Sequence, residues 1–221
     1  MTKKRVSARL VLEAIGGLAA LSAYAFLIRP WHLRWGATDD EVKMPLPGDE
    51  FVHDPKLNST HAITIHAAAA DVWPWLVQIG QDRGGFYSYT WLENLVGCDM
   101  HNANRIVPEW QALKVGDEVW LHPKAPPLRV LAIKPGRAIV LEKCWTFFLH
   151  QIDENTTRLI IRGRGEFNPY LKNSLLNFLV WRGVFEPAHF IMERKMLLGI
   201  KQRAEGNAET KRELRTELNA A

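Results

Sequence analysis

Five short β-rich runs in the second half of the chain constrain its fold more than any other feature. Most of them are separated by turn residues such as Lys134-Pro135-Gly136-Arg137 and Asp153-Glu154-Asn155-Thr156. Connections this short join neighbouring antiparallel strands. The sequence therefore predicts an antiparallel sheet built from residues 118–122, 128–133, 138–145, 146–152 and 157–162.

The last of these runs indicates which side chains share a face of the sheet. Leu159 and Ile161 alternate with Arg158, Arg162 and Arg164, so apolar side chains point to one face and arginines to the other. An antiparallel sheet with one apolar face needs another element to cover that face.

Helical patterns precede and follow the predicted sheet. A half-buried strand is predicted at 61–66, with a helix directly after it. Thr90 and Glu93 fit a capping box for a second, short helix. After the sheet, the sequence predicts a helix at 170–182 and then a longer one at 187–203. This order indicates the α+β class, with the last helix covering the sheet.

An apolar stretch at 10–28 carries a single charge, Glu13, and is just long enough to cross a bilayer. Basic and aromatic residues follow at once, as at a membrane interface. We therefore predict a single-pass membrane anchor at residues 1–29. A cleaved signal peptide, with its site near Ala23-Tyr24-Ala25, and a buried helix of the domain are the alternatives. The excess of basic residues before the span favours an extracytoplasmic domain.

The rest of the chain divides by composition. Residues 30–60 are rich in proline, glycine and charge, which is typical of a linker or an extended wrap over the domain surface. The domain proper is predicted at 61–205. Residues 206–221 are polar and are expected to form a frayed tail.

Charge and cysteine content exclude some classes of function. The net charge of +4 is spread over several segments and no nucleic-acid-binding module is recognisable, so no nucleic-acid partner is predicted. Cys98, Asp99 and His101 offer metal-binding groups, but no second ligand pair follows at a zinc-site spacing. We predict a polar loop there, with no metal and no cofactor. Whether Cys98 pairs with Cys144 stays open.

Several motifs resemble the START-like, or SRPBCC, superfamily, which has the helix-grip fold. They are ITIHAAAADVWPWLVQIG, KVGDEVWL, LRVLAIKPGRAIVLE and EPAHFIMERKMLLGIKQRAE. RGGFYSYTWLENL and RPWHLRWGAT resemble a membrane-anchored bacterial subgroup. The resemblance implies a curved antiparallel sheet around a long C-terminal helix, with a cavity between them for a hydrophobic or lipid-like molecule. It does not imply an activity, because this superfamily contains carriers, cyclases and oxygenase subunits.

The first hypothesis is a membrane-anchored protein that binds such a molecule. Its ligand-binding candidates are Tyr87, Tyr89, Trp91, His189, Met192 and Met196. Arg83 pairing with Asp82 or Glu93 would instead make the 82–91 loop purely structural. The second hypothesis is a cyclase- or dehydratase-like enzyme, with acid–base candidates Glu142, His150 and Asp99. The third is an envelope interaction module without a ligand. Residues 170–182 either pack on the domain or lie on the bilayer.

Overall fold

The predicted sheet is present and is antiparallel throughout. The computed structural model of the protein describes residues 8–142, 145–165 and 174–220, and over these residues the sheet has six strands in the order β1-β6-β5-β4-β3-β2. The strands are β1 (Leu57–Ile65), β2 (Glu118–Val119), β3 (Leu128–Lys134), β4 (Ala138–Leu141), β5 (Trp145–Asp153) and β6 (Thr156–Gly165). Strand β1 begins before the predicted start at His61, because its residues pair with β6 from Leu57 onward.

Residues 8–33 and 174–220 each form one long helical rod, in which a π-helical turn joins two α-helices, and shorter helices lie between the two rods. The helices are α1 (Ala8–Ala23), α2 (Arg29–Leu33), α3 (Asp39–Lys43), α4 (Ala69–Val77), α5 (Thr90–Leu95), α6 (Ser174–Val180) and α7 (Glu186–Ala220). One π-helical turn, Tyr24–Ile28, joins α1 to α2, and another, Trp181–Phe185, joins α6 to α7.

The two π-helical turns explain why a proline does not break either rod. Pro30 and Pro187 each lie at the second residue of the helix that follows such a turn. A proline lacks the N–H that an α-helix needs, and a local wider turn accommodates this loss. The predicted break before Pro187 is therefore absent. The start of the predicted helix at 170–182 includes Tyr170, Leu171 and Lys172, which lie outside the described residues.

The helix α7 packs across the concave face of the sheet. Its apolar side chains Met196, Leu197 and Ile200 are buried with Leu159 and Ile161 of β6. This is the helix-grip arrangement that the sequence resemblance predicted, and the predicted α+β fold class is confirmed. Burial of these side chains contributes about 1.5–3 kcal/mol each.

The helix α7 extends well past its predicted end near residue 203. Ala204 and Ala208 are buried, and the Lys211 ammonium donates to the Asp71 carboxylate at the start of α4. The polar composition of residues 206–221 predicted a frayed tail. These contacts instead hold the helix against α4, because the small side chains of Ala204 and Ala208 allow close packing.

The convex face of the sheet is covered by residues 36–51, here called the strap. Arg158 makes a salt bridge to Glu41, and Arg162 makes one to Asp49. Leu46 of the strap is buried against Ile160. Of the two alternatives for this segment, the structure has the wrap over the domain surface. The arginine face of β6 is therefore an interface within the chain.

The N-terminal apolar segment lies outside the core. Residues Val11–Leu33 form a helical rod long and apolar enough to cross a membrane, and its most apolar window is not buried. Only its last turns contact the domain. The Tyr24 hydroxyl donates to the main-chain oxygen of Arg182 (2.6 Å), and the Arg29 guanidinium forms a two-pronged salt bridge to Glu186 (2.8 and 2.9 Å). The end of this rod is thus fixed to the start of α7.

Candidate functional site

A cavity of about 820 Å³ lies between α7 and the concave face of the sheet. This volume is within the range of small-molecule sites. Its apolar wall includes Phe86, Met100, Leu121, Leu128, Trp145, Phe185, Met192 and Met196. The titratable side chains that line it are Glu93, Glu142, Arg164, Glu186, His189 and Glu193. The cavity therefore combines a largely apolar wall with a few charged groups, which suits an apolar molecule that has one polar end.

The most connected polar group at the cavity is the carboxylate of Glu193. Its Oε2 lies 2.9 Å from Nδ1 of His61 and 3.0 Å from Nε2 of His189, and Trp145 Nε1 donates to its Oε1 at 3.0 Å. The Glu193 side chain is only 1% exposed. Three donors thus satisfy a carboxylate that would otherwise be very costly to bury.

His61 is held by two acceptors. Its Nδ1 faces Glu193, and its Nε2 lies 2.7 Å from the main-chain oxygen of His32. A ring can donate to both partners at once only when both nitrogens carry a proton. The geometry therefore fits an imidazolium that balances the charge of Glu193.

The contacts among His61, His189 and Glu193 shift the pKa values of Glu193 and His189. Burial alone would raise the pKa of Glu193, but the charges of His189 and His61 and their hydrogen bonds outweigh burial and hold that pKa well below its usual range. Burial opposes protonation of His189, but the negative charge of Glu193 and the hydrogen bond to it outweigh burial and raise the pKa of His189. The Glu193 carboxylate thus favours a charged imidazole at the cavity wall.

Glu93 is a second titratable group of the cavity. The sequence predicted that it forms a capping box with Thr90, and this prediction was wrong. The helix α5 begins at Thr90 with Tyr89 before it, and no side chain caps it. Glu93 is instead turned inward and 9% exposed, and its Oε2 has no hydrogen-bond partner among the described residues. Burial raises its pKa to about 7. A carboxyl group of this kind changes charge near neutral pH.

The loop before α5 supports the cavity. The main-chain N–H of Tyr87 donates to the Asn102 side chain (2.7 Å), whose amide donates to the Ser88 oxygen (3.0 Å). The Ser88 hydroxyl donates to the main-chain oxygen of Met192 on α7 (2.9 Å). These bonds fix the loop against the helix. Arg83 contributes by donating to the main-chain oxygen of Trp110 and not, over the described part of the chain, by a salt bridge to Asp82 or Glu93.

The three aromatic ligand-binding candidates lie outside the cavity lining. Tyr87 is 1% exposed and its hydroxyl donates to the main-chain oxygen of Trp75. Tyr89 lies under the Lys195 ammonium, and Trp91 is 67% exposed on α5. None of these three lines the cavity. The other three ligand-binding candidates, His189, Met192 and Met196, do line it.

The acid–base candidates are not brought together. Glu142 lines the cavity, and its carboxylate accepts a long hydrogen bond from the Arg129 main-chain N–H (3.4 Å). His150 is exposed, and it alternates along β5 with the core residue Leu149, so it projects from the convex face. Asp99 is exposed and bonds only His101. These three residues therefore do not share one substrate position.

Two members of this cluster, Glu193 and His61, were not predicted, and the sequence contained a usable signal for one of them. His189 and Glu193 are four residues apart on a helix, a spacing at which side chains meet. Glu193 is a charged residue of α7, yet it is buried. His61 is distant in sequence from both and carried no local signal.

Two histidines and a carboxylate are also a ligand set for non-haem iron. In this cluster the nitrogens bond directly to one carboxylate oxygen, at 2.9 and 3.0 Å. Among the described residues, no group of three or more His, Cys, Asp or Glu side chains has an arrangement that could hold a metal ion. Cys98 is a free thiol, and Cys144 lies outside the described residues.

The strand order, the curved antiparallel sheet and the long C-terminal helix packed across it define a helix-grip architecture. No protein-family model matches the chain, and no curated protein matches it. Among solved structures, the chain is similar to a polyketide cyclase-like protein of Corynebacterium glutamicum that was determined by NMR in solution. The two share 16% identity over 73% of this chain and 93% of that one, with a TM-score of 0.28.

Proposed function

We propose that the protein is a membrane-anchored carrier or receptor that binds one hydrophobic or lipid-like molecule between the sheet and α7. The observation that carries this proposal is the cavity of about 820 Å³ with its largely apolar wall. Moving apolar surface from water into such a cavity gains about 25 cal/mol per Å². An interaction module with a pocket filled by its own side chains would not leave this volume.

The surroundings of the cavity support a membrane location. Trp181 and Phe185, which line the cavity, belong to the turn that joins α6 to α7. On α6, Leu175 is 65% and Leu179 is 56% exposed. This apolar surface adjoins the end of the proposed anchor through the contact between Tyr24 and Arg182. Such continuity favours the bilayer over packing on the domain for these leucines, and it would bring the cavity close to the source of an apolar ligand.

The side of the membrane follows from the charge distribution. The basic residues at the start of the chain, Lys3, Lys4 and Arg5, lie outside the described residues, and Arg9 follows them. The positive-inside rule then directs the N-terminus to the cytoplasm and the domain to the other side. A C-terminal alkaline phosphatase fusion should be active, whereas a C-terminal green fluorescent protein fusion should be dark. The reverse pattern would contradict this orientation.

The ligand proposal can be tested on the full chain purified in detergent micelles. Native mass spectrometry should show an additional apolar molecule of defined mass, either co-purified or taken up from a lipid extract. Met192→Trp, which fills the cavity, should reduce this bound fraction about tenfold, the effect of losing about 1.4 kcal/mol. Ile191→Trp is the matched control, because Ile191 is adjacent on α7 and 50% exposed. Equal retention by both variants, or no bound molecule in the wild type, would overturn the proposal.

A second candidate function is acid–base catalysis in the same cavity. The observation that favours it is the presence of Glu93 and His189 on one cavity, each with a raised pKa. These two residues would replace the originally predicted set of Glu142, His150 and Asp99. The test is the mass of the bound molecule after long incubation. A change in that mass with the wild type, absent with Glu93→Gln, would favour an enzyme over a carrier.

A further inference from the structure

We propose that His189 and Glu93 form a head-group site and that the ligand is an apolar chain ending in a carboxylate, as in a long-chain fatty acid. This inference rests on the proposed function and specifies the ligand of the same cavity. It follows from the charge balance of the cavity, from the free nitrogen of His189 and from the unpaired carboxyl of Glu93.

His189 offers one ring nitrogen to the cavity. Its Nε2 is fixed on Glu193 at 3.0 Å, and nothing among the described residues bonds to its Nδ1. The side chain is 43% exposed and lines the cavity. Because Nε2 is already committed to a carboxylate, Nδ1 is the atom that can donate to a ligand when the ring is protonated.

The charges around His189 leave the imidazolium available to an anion. Glu193 is balanced by His61, which contacts the same carboxylate oxygen. Glu186, the other carboxylate that raises the pKa of His189, is in a salt bridge with Arg29. The cluster of His61, Glu193 and protonated His189 therefore carries one excess positive charge, and an anionic head group would complement it.

Glu93 supplies the complementary donor. Its Oε2 is buried and unpaired, and no basic side chain among the described residues bonds to it. The nearby titratable group is Cys98, a thiol whose own pKa is raised by burial and by Glu93. A protonated Glu93 can donate its O–H to a ligand carboxylate, which removes the cost of a buried polar atom without a partner. Ser88, in the loop before α5, donates to Met192 of α7, and both residues line the same cavity as Glu93 and His189.

This site makes binding depend on pH. At low pH, His189 is charged and Glu93 is neutral, so both donate to the carboxylate. As the pH rises above about 7, Glu93 ionises and repels it. Loss of the His189 proton at higher pH removes the cationic donor that His189 supplies. The remaining charged groups that line the cavity are Glu142 and Arg164, and Arg164 is in a salt bridge with Asp49.

The test compares dodecanoate with dodecanol, which have the same chain length and differ in charge, on the full chain in detergent micelles by native mass spectrometry. At about pH 6 the wild type should prefer dodecanoate about tenfold, as expected for a charge-assisted hydrogen bond. His189→Gln should abolish this preference and retain dodecanol. Glu93→Gln should keep more of the preference than the wild type above about pH 7, because an amide does not ionise. His150→Gln is the matched control on the convex face and should behave as the wild type.

The outcomes separate this inference from the proposed function. Equal binding of dodecanoate and dodecanol would overturn the head-group site and leave the apolar cavity supported. An unchanged preference in His189→Gln, with its melting temperature retained, would also overturn the site. Binding of neither compound would contradict the proposed function itself. A His189→Gln variant that fails to fold is replaced by His189→Asn, and the pH profile of Glu93→Gln gives an independent reading.

Discussion

The buried carboxylate of Glu193 on α7 lies 2.9 Å from Nδ1 of His61 on β1, and the two residues are 132 positions apart in the sequence. This ion pair connects the gripping helix to the first strand of the sheet. It also connects α7 and β1 to the end of the N-terminal helical rod, because His61 Nε2 bonds the main-chain oxygen of His32. Both side chains are at most 2% exposed.

Removing the charge of Glu193 is expected to destabilise the domain strongly. Glu193→Gln leaves His61 buried without its counter-ion, and breaking a buried pair in this way costs about 3–5 kcal/mol. The measurement is the free energy of unfolding from a urea titration of the full chain in detergent micelles at pH 7. Glu209→Gln, at an exposed site on the same helix, should stay within about 0.5 kcal/mol of the wild type.

The pH dependence of this effect has a definite sign. The pKa of Glu193 is lowered on folding, so its contribution is complete above the ordinary value of 4.5 and is lost as the pH falls below that value. The difference between wild type and Glu193→Gln should therefore shrink below about pH 4.5. A difference that stays constant down to the acid unfolding of the wild type would mean that Glu193 acts through shape and not through charge.

Glu93→Gln is expected to stabilise the protein above neutral pH. The pKa of Glu93 is raised on folding from 4.5 to about 7. Below pH 4.5 both states hold the proton; between these values the unfolded state releases it first, so the stability of the wild type falls as the pH rises. The full difference corresponds to about 3 kcal/mol.

The measurement compares the free energies of unfolding of wild type and Glu93→Gln at about pH 4.5 and about pH 8. The gain should appear only at the higher pH. Glu109→Gln, a change at an exposed glutamate, serves as the control. Equal stabilisation at both pH values would show that packing, and not ionisation, causes the effect.

The sequence predicted those features that depend on local pattern. The alternation of Leu159 and Ile161 with the arginines of β6 correctly indicated its two faces, because strand side chains alternate regardless of what covers them. It could not indicate that the strap covers the arginine face, since Arg162 meets its partners across more than 110 residues.

The candidate site was less predictable, because its geometry depends on tertiary contacts. Tyr87 was a candidate ligand-binding residue, but its backbone has a positive φ of 56° and packs against Gly199 of α7, which directs the ring into the core. Glu93 satisfied the sequence pattern of a capping box, yet helix α5 starts at Thr90, one residue earlier than that pattern requires. The pairing of His61 with Glu193 joins a strand and a helix from opposite ends of the domain, which no local spacing encodes.

Arg162 is expected to be essential for attachment of the strap. It is 4% exposed, and its guanidinium donates to the Asp49 carboxylate (2.7 Å), to three strap carbonyls and to Thr60. Arg162→Met leaves these carbonyls without their side-chain donors and leaves Asp49 with one arginine partner, Arg164. The expected cost is about 3–5 kcal/mol. Arg162→Lys should restore only part of the loss, because an ammonium cannot reproduce the fork of donors.

Two measurements check the role of the strap. Urea unfolding gives the loss of stability, and limited proteolysis should detect new cleavage within residues 36–51 in Arg162→Met. Arg129→Met is the matched control, because Arg129 is exposed on β3. If the strap of Arg162→Met resists protease as well as that of the wild type, then Leu46 and its apolar neighbours hold the strap, and the arginine is dispensable for attachment.

Two glycines of α7 should respond in opposite directions to the same substitution. A Cβ on Gly199 would lie 2.3 Å from the main-chain oxygen of Tyr87, whereas a Cβ on Gly206 would meet nothing within 4 Å. Gly199→Ala therefore forces the helix away from the loop that supports the cavity, at an expected cost of about 1–3 kcal/mol. Gly206→Ala removes only the entropic penalty of glycine in a helix and should gain about 0.5–1 kcal/mol. Because helix propensity acts equally at both positions, the difference between the two variants in urea unfolding measures the contact between Gly199 and Tyr87. Equal stabilisation of both would mean that α7 does not approach the loop this closely.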